Sequence, residues 1–129
     1  MIAADTSTWV AYFQGRTGKD VELLDRALLD RQVQIPPAVL TEVLSDPKLP
    51  LIALESLSGL PLIETTPGYW HRAGELRARV LAKKRNARLG DVLIAQSCID
   101  AGIPLLTRDR DFGVFARAAE LELVTTCLA

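Results

Sequence analysis

The 129-residue chain is poor in the side chains that build most metal and covalent centres. It has one histidine, His71, and two cysteines, Cys98 and Cys127, with nothing at metal-ligand spacing. That excludes a zinc site of the usual kind. Two cysteines are too few for a disulfide framework and fit reduced thiols inside a cell. His71, Trp70 and both cysteines read as structural. No apolar stretch approaches the roughly 20 residues of a membrane span. The start, Met1-Ile2-Ala3-Ala4-Asp5, has no basic segment and meets a carboxylate at once, so no signal peptide is expected and the location expected is cytoplasmic. Internal repeats, low-complexity segments and linkers are missing too. What remains is ordinary globular usage, 49% hydrophobic and 24% charged, in a length that suits one domain over 1–129.

The net charge of −1 hides an asymmetry. Residues 1–68 carry 5 basic and 9 acidic side chains, whereas residues 69–129 carry 10 basic and 7 acidic. Arg72, Arg77, Arg79, Lys83, Lys84, Arg85 and Arg88 stand against Glu75 alone. Such a stripe suits a polyanion, although a solvated helix face followed by a basic loop has the same composition.

Strand and helix patterns alternate. Short apolar runs at 2–4, 32–35, 62–64, 103–107 and 123–126 read as strands. Helical periodicity or bounding Pro and Gly marks 7–14, 19–30, 36–44, a short piece within 47–59, 69–84, 89–101 and 112–119. Thr6 or Ser7 is a possible cap of the first helix. Short strands apolar on both faces and joined by helices imply an α/β fold, a parallel sheet of about five strands between two helical layers. Open sheets of this kind bind ligands beyond the carboxyl ends of their strands, which directs attention to Asp5 and Asp109.

Four carboxylates then become of interest, each with a plain alternative. Asp5 ends the first strand and could simply cap the next helix. Glu42 lies at the margin of a buried helix face and could be solvated. Asp91 sits within about 100° of Val92, Ile94, Ala95, Cys98 and Ile99 on a helical wheel, with Gln96, Ser97 and Asp100 on the far side. A carboxylate on an inward face needs a partner or a cation, although the first turn also favours it through the helix dipole. Asp109 and Asp111 could make a turn and a cap. Taken jointly, carboxylates converging at one sheet edge repel unless a cation neutralises them. Mg2+ or Mn2+ suits an all-oxygen set without His or Cys.

These segments resemble a known family. Asp5-Thr6-Ser7, Glu42 in a helix with a proline-containing start, Gly90-Asp91-Val92-Leu93-Ile94-Ala95 and Leu106-Thr107-Arg108-Asp109-Arg110-Asp111-Phe112 are similar in order and spacing to PIN domains, most closely the VapC-like ribonuclease toxins of prokaryotic toxin–antitoxin pairs. The resemblance covers nearly the whole chain. It implies a three-layer α/β/α fold and metal-dependent RNA cleavage leaving 5′-phosphate and 3′-hydroxyl ends. It assigns Asp5, Glu42, Asp91 and Asp109 to the catalytic and metal-binding set, with Ser7, Thr107 and Asp111 in support. It implies a VapB-like antitoxin and a homodimer, to whose interfaces Trp9, Tyr12, Phe13, Leu51 and Ile52 are apolar enough to contribute, unless they are core. Segment 46–61 varies in the family and carries no assigned role. Arg77, Lys83, Lys84, Arg85, Arg88, Arg108 and Arg110 are the residues expected to hold the RNA backbone.

Two other classes fit less well. A receiver domain needs a phospho-accepting aspartate after the third strand, and Leu62-Ile63-Glu64 offers none. A haloacid-dehalogenase-like phosphatase needs an aspartate two residues after the first, where Ser7 stands. A PIN-fold protein that processes or binds RNA without a toxin role remains the alternative.

Overall fold

The computed structural model describes residues 1–119 and 121–124. Strands β1 (Ala3–Ala4), β2 (Leu105–Leu106) and β3 (Leu123–Val124) lie parallel in the order β1-β2-β3. Ala3 pairs with Leu105, and Leu105 with Leu123. Beyond the other edge of β1, single parallel bridges join Ile2 to Val33 and Ile35 to Leu62. The five expected segments therefore stand side by side, in the chain order third, second, first, fourth, fifth. The second and third are shorter than expected, joined by isolated bridges instead of a ladder. Between the second and third, proline explains the shortening, because Pro36 and Pro61 flank that pairing and have no N–H to donate. What remains between these two is the Ile35 N–H to the Pro61 carbonyl (2.9 Å) and the Ile63 N–H to the Ile35 carbonyl (2.8 Å). The part of the fifth expected strand beyond 124, and Cys127, lie outside the described residues.

Seven helices are described: α1 (Thr6–Phe13), α2 (Lys19–Leu29), α3 (Pro37–Leu44), α4 (Leu51–Ser58), α5 (Tyr69–Ala82), α6 (Leu89–Ala101) and α7 (Gly113–Ala118). The helix expected over 112–119 is divided, a 3-10 turn at Arg110–Phe112 leading into α7. The core joins Ala3, Ala4, Leu105 and Leu106 of the sheet to Trp9, Leu24, Val39, Leu76, Ile94 and Phe115 of the helices. Burying each large apolar side chain contributes roughly 1.5–3 kcal/mol. Trp9 is fully buried and stacked on Phe13, with ring centroids 5.6 Å apart. Tyr12 and Phe13 are half-buried, whereas Leu51 (68% exposed) and Ile52 (74%) face solvent from α4. Cys98 is buried, and burial pushes its thiol up to about 12; His71 and Trp70 lie at the surface.

The far side of α6 is not a solvent face. Gln96 and Ser97 are buried because α6 packs against α5 on that side. The Tyr69 hydroxyl donates to the Leu93 carbonyl (2.6 Å) and receives Ser97 Oγ (3.3 Å). Arg72 reaches Asp100 through Nε (3.0 Å) and a terminal nitrogen (2.6 Å), and Gln96 Nε2 donates to the same carboxylate (2.8 Å). A helix covered on several sides must satisfy its polar groups internally.

The winding of the chain places the site. From β1 it moves outward through the segment at 33–35 to Leu62, then crosses back to β2 and β3 on the opposite side of β1. The direction reverses between β1 and β2. Loops leaving their carboxyl ends part in opposite directions there and leave a crevice.

Candidate active site

Asp5 follows β1 directly. It is also the N-cap of α1, in place of Thr6 or Ser7, because Oδ1 accepts the Thr8 N–H (3.0 Å). The capping bond leaves the rest of the carboxylate for other donors. Ser7 Oγ lies 2.8 and 2.9 Å from its two oxygens, and Thr107 Oγ1 donates to Oδ2 at 2.6 Å. Burial pushes the Asp5 carboxyl above the ordinary range, and hydrogen bonds led by that of Thr107 oppose the rise.

Thr107, itself fully buried, sits just past β2. The hydroxyl that donates to Asp5 also accepts the Asp109 N–H (2.9 Å). Asp109 caps the 3-10 turn, Oδ1 accepting the Asp111 N–H (2.9 Å). The turn-and-cap role weighed for this pair is thus present. Asp111 supports Asp109 through its backbone, while its own side chain borders a neighbouring depression with Lys84, Arg85 and Asn86.

Glu42 projects from α3, and its Oε1 accepts Thr6 Oγ1 at 2.5 Å. Its other oxygen lies against the first turn of α6, where a Cβ at Gly90 would stand 3.0 Å from Glu42 Oε2, tighter than an ordinary contact. Asp91 lies in that same turn, and its carboxyl is pushed up to about 6. Burial is the main cause. The negative charges of Asp109, Glu42 and Asp5 add to it, and Arg88 opposes them.

Asp5, Glu42, Asp91 and Asp109 thus border one cleft of about 260 Å³, with Thr6, Ser7, Arg88, Ile94 and Phe112 completing its walls. The four come from four separate elements. Among the described residues no three His, Cys, Asp or Glu side chains are gathered into a ready ligand set. The donor chemistry nonetheless fits a hard, hydrated cation. Mg2+ is commonly held by one or two carboxylates and keeps several waters, and the cleft offers carboxylate oxygens with room for them. A cation there would also lift the mutual repulsion that raises Asp91.

The basic residues divide. Lys83, Lys84, Arg85, Arg88 and Arg110 are exposed, and Arg88 alone of these borders the acidic cleft. Arg77 is half-buried and props the loop before α6, its Nε donating to the Ala87 carbonyl (2.9 Å). Arg108, expected among the phosphate contacts, pairs with Asp20, 2.7 Å from Nε to Oδ2. Asp20 is wholly buried, and sequence reasoning passed over it. An aspartate in the first turn of a helix looks like an ordinary dipole partner, and its cation stands 88 positions away.

The model of the PIN domain matches residues 2–121. The chain is 32% identical over 130 aligned positions to "VapC ribonuclease Mb1587" of Mycobacterium bovis and to "Ribonuclease VapC11" of Mycobacterium tuberculosis, covering 95% of this chain and 96% of each relative. Similar folds occur in VapBC2 of Rickettsia felis, solved bound to a promoter DNA fragment (TM-score 0.73, 24% identity, 95% of this chain and 97% of that one), and in VapBC-5 of Mycobacterium tuberculosis (TM-score 0.70, 23% identity, 95% and 96%). With a family match across nearly all of its length, and with the parallel α/β architecture and acidic crevice described above, the chain belongs to the PIN domain family.

Proposed function

We propose that this protein is a Mg2+- or Mn2+-dependent endoribonuclease, the toxin of a VapBC-type pair. The observation that carries the reading is the convergence of Asp5, Glu42, Asp91 and Asp109 on one crevice at the reversal point of the sheet. The two VapC ribonucleases at 32% identity support the ribonuclease reading.

Asp5, Asp91 and Asp109 would hold the cation, directly or through water, with Glu42 steering it or a second ion. The cation, when bound, polarises a water and the scissile phosphate and offsets the charge of the transition state. Ser7 and Thr107 keep the Asp5 carboxylate aimed by donating to it. Asp91 must give up its proton to act as a ligand. Arg88, at the cleft wall, faces the phosphate backbone, with Lys83, Lys84, Arg85 and Arg110 supplying charge further out. Cleavage in this reading leaves 5′-phosphate and 3′-hydroxyl ends.

A VapB-like antitoxin and a second copy of the chain are the proposed protein partners. The relatives solved as VapBC assemblies and exposed apolar side chains such as Ile52, Trp70 and Leu89 support a chain that covers part of its surface with protein. No helix among the described residues is long and apolar enough to cross a membrane.

The test is cleavage of a mixed pool of fluorescent RNAs by purified protein with Mg2+ or Mn2+, with EDTA and Asp91→Asn as controls. Cutting that needs metal and Asp91 is the expected result. A folded, partner-free protein that neither cuts RNA nor binds metal removes the reading. The alternative, a PIN-fold RNA-processing or RNA-binding protein without a toxin role, predicts no small antitoxin reading frame beside the gene.

A further inference from the structure

A second polar network lies behind the acidic crevice, on the α2 side, and the mechanism above does not use it. Asp20 has no solvent exposure. Arg108 grips it with two donors, Nε to Oδ2 at 2.7 Å and a terminal nitrogen to Oδ1 at 2.8 Å. The same terminal nitrogen donates to the Thr17 carbonyl (3.2 Å), and the buried Thr8 hydroxyl donates to Asp20 Oδ2 (3.1 Å). The turn before α2 is shaped for this packing. Gly18 has φ +147°, and a Cβ there would fall 2.5 Å from Asp20 Oδ1 and 2.9 Å from the Arg108 guanidinium.

The two immediate neighbours of Arg108 belong to the site. Thr107 donates to Asp5, and its hydroxyl receives the Asp109 N–H. Thr8, which touches Asp20, is also the residue whose N–H Asp5 caps. The ion pair is therefore tied to both sides of the crevice, to the start of α1 and to the segment after β2. A bidentate guanidinium–carboxylate pair fixes direction as well as distance, and buried charges tolerate loss of a partner poorly.

We propose that Asp20 and Arg108 form an internal clamp that holds segment 107–109, and with it Asp109 and the Thr107–Asp5 contact, in register for cleavage. Asp20 is then a positioning residue that meets neither metal nor RNA. The catalytic half of this statement rests on the nuclease reading above.

Asp20→Asn is the direct test. Because it removes the carboxylate charge facing Arg108 and can impair folding, the double variant Asp20→Asn with Arg108→Gln, which removes both charges of the pair, accompanies it. Three readouts apply, all well below the melting temperature: amide hydrogen exchange at Asp109 and Asp111, Mn2+ affinity by calorimetry, and kcat and KM on an RNA that the wild type cuts. The expected result is exchange faster by about tenfold at both amides, with Mn2+ affinity and kcat lower by about 10–100-fold and KM little changed. Arg108→Lys, which keeps the charge but not the fork, recovers part of each. Folded variants with unchanged exchange, affinity and kcat overturn the clamp and leave a merely structural ion pair. A wild type that neither binds Mn2+ nor cuts RNA removes the nuclease reading and the clamp's catalytic half. Exchange then decides the rest, and unchanged amides overturn it.

Discussion

Thr107 Oγ1 stands 2.6 Å from Asp5 Oδ2, joining two residues 102 positions apart in the chain. The hydrogen bond spans the junction of β1 and β2, where the sheet reverses direction. One hydroxyl donates to the first acidic residue and accepts the backbone N–H of the last, Asp109. Thr107→Val keeps the shape and removes both interactions, leaving a buried carboxylate short of one donor. The expected cost is about 1–2 kcal/mol of stability, with RNA cleavage lower by about 10–100-fold. Thermal melts and kcat measured on the same preparation check both; a variant that loses stability alone returns Thr107 to a structural role.

Asp5→Asn separates the two duties of Asp5. Asparagine caps helices about as well as aspartate, so α1 survives and stability changes by about 1 kcal/mol or less. The anionic ligand is gone, and cleavage is expected to fall to background. Circular dichroism beside a cleavage assay decides. Unfolding would mean that the hydrogen bonds of Asp5 outweigh its role in the crevice.

Asp91 gives a pH dependence with a definite sign. Its carboxyl titrates near 6 in the metal-free fold, against 3.8 for the ordinary group. Between those values the folded state holds the extra proton, so this stabilising contribution is complete below about pH 4 and lost as pH rises through 6. The raised Asp5 carboxyl acts in the same direction, whereas Asp20 and Asp100, both lowered, lose their contribution as pH falls. The difference between wild type and Asp91→Asn isolates Asp91: wild type should gain on the variant as pH falls from 6 to 4. Metal affinity runs the other way and rises through pH 6, because only the ionised group ligates. Melts and Mn2+ titrations across this range check both, and curves parallel for the two proteins would refute the assignment.

The exposed cations Lys83, Lys84 and Arg85 follow α5, and Lys84 and Arg85 border the depression beside Asp111. Replacing all three with alanine should weaken RNA binding and flatten its salt dependence. The log–log slope of a single strand should fall by about 0.7 for each phosphate that the protein no longer neutralises. Binding isotherms from low to moderate salt measure this. An unchanged slope makes the stripe solvated surface.

Local pattern alone determined much of this protein. The bounds of α6 were legible at both ends, from apolar periodicity after Arg88 and from Gly102. Asp5 and Asp109 were legible as strand-terminating carboxylates because short apolar runs stop at polar residues, and Asp91 as an inward-facing one because a helix repeats every 3.6 residues. These signals span only a few residues, so composition and spacing carry them.

Tertiary structure decided what depends on distant partners. It reduced segments 32–35 and 62–64 to isolated bridges, since pairing needs a neighbour's N–H as well as an apolar run. It buried Gln96 and Ser97, because α5 happens to cover the polar side of α6. It paired Arg108 with Asp20, and it set Thr107 between Asp5 and Asp109. A charge or hydroxyl chooses its partner by position in space, and spacing along the chain holds no record of which element will be packed against it.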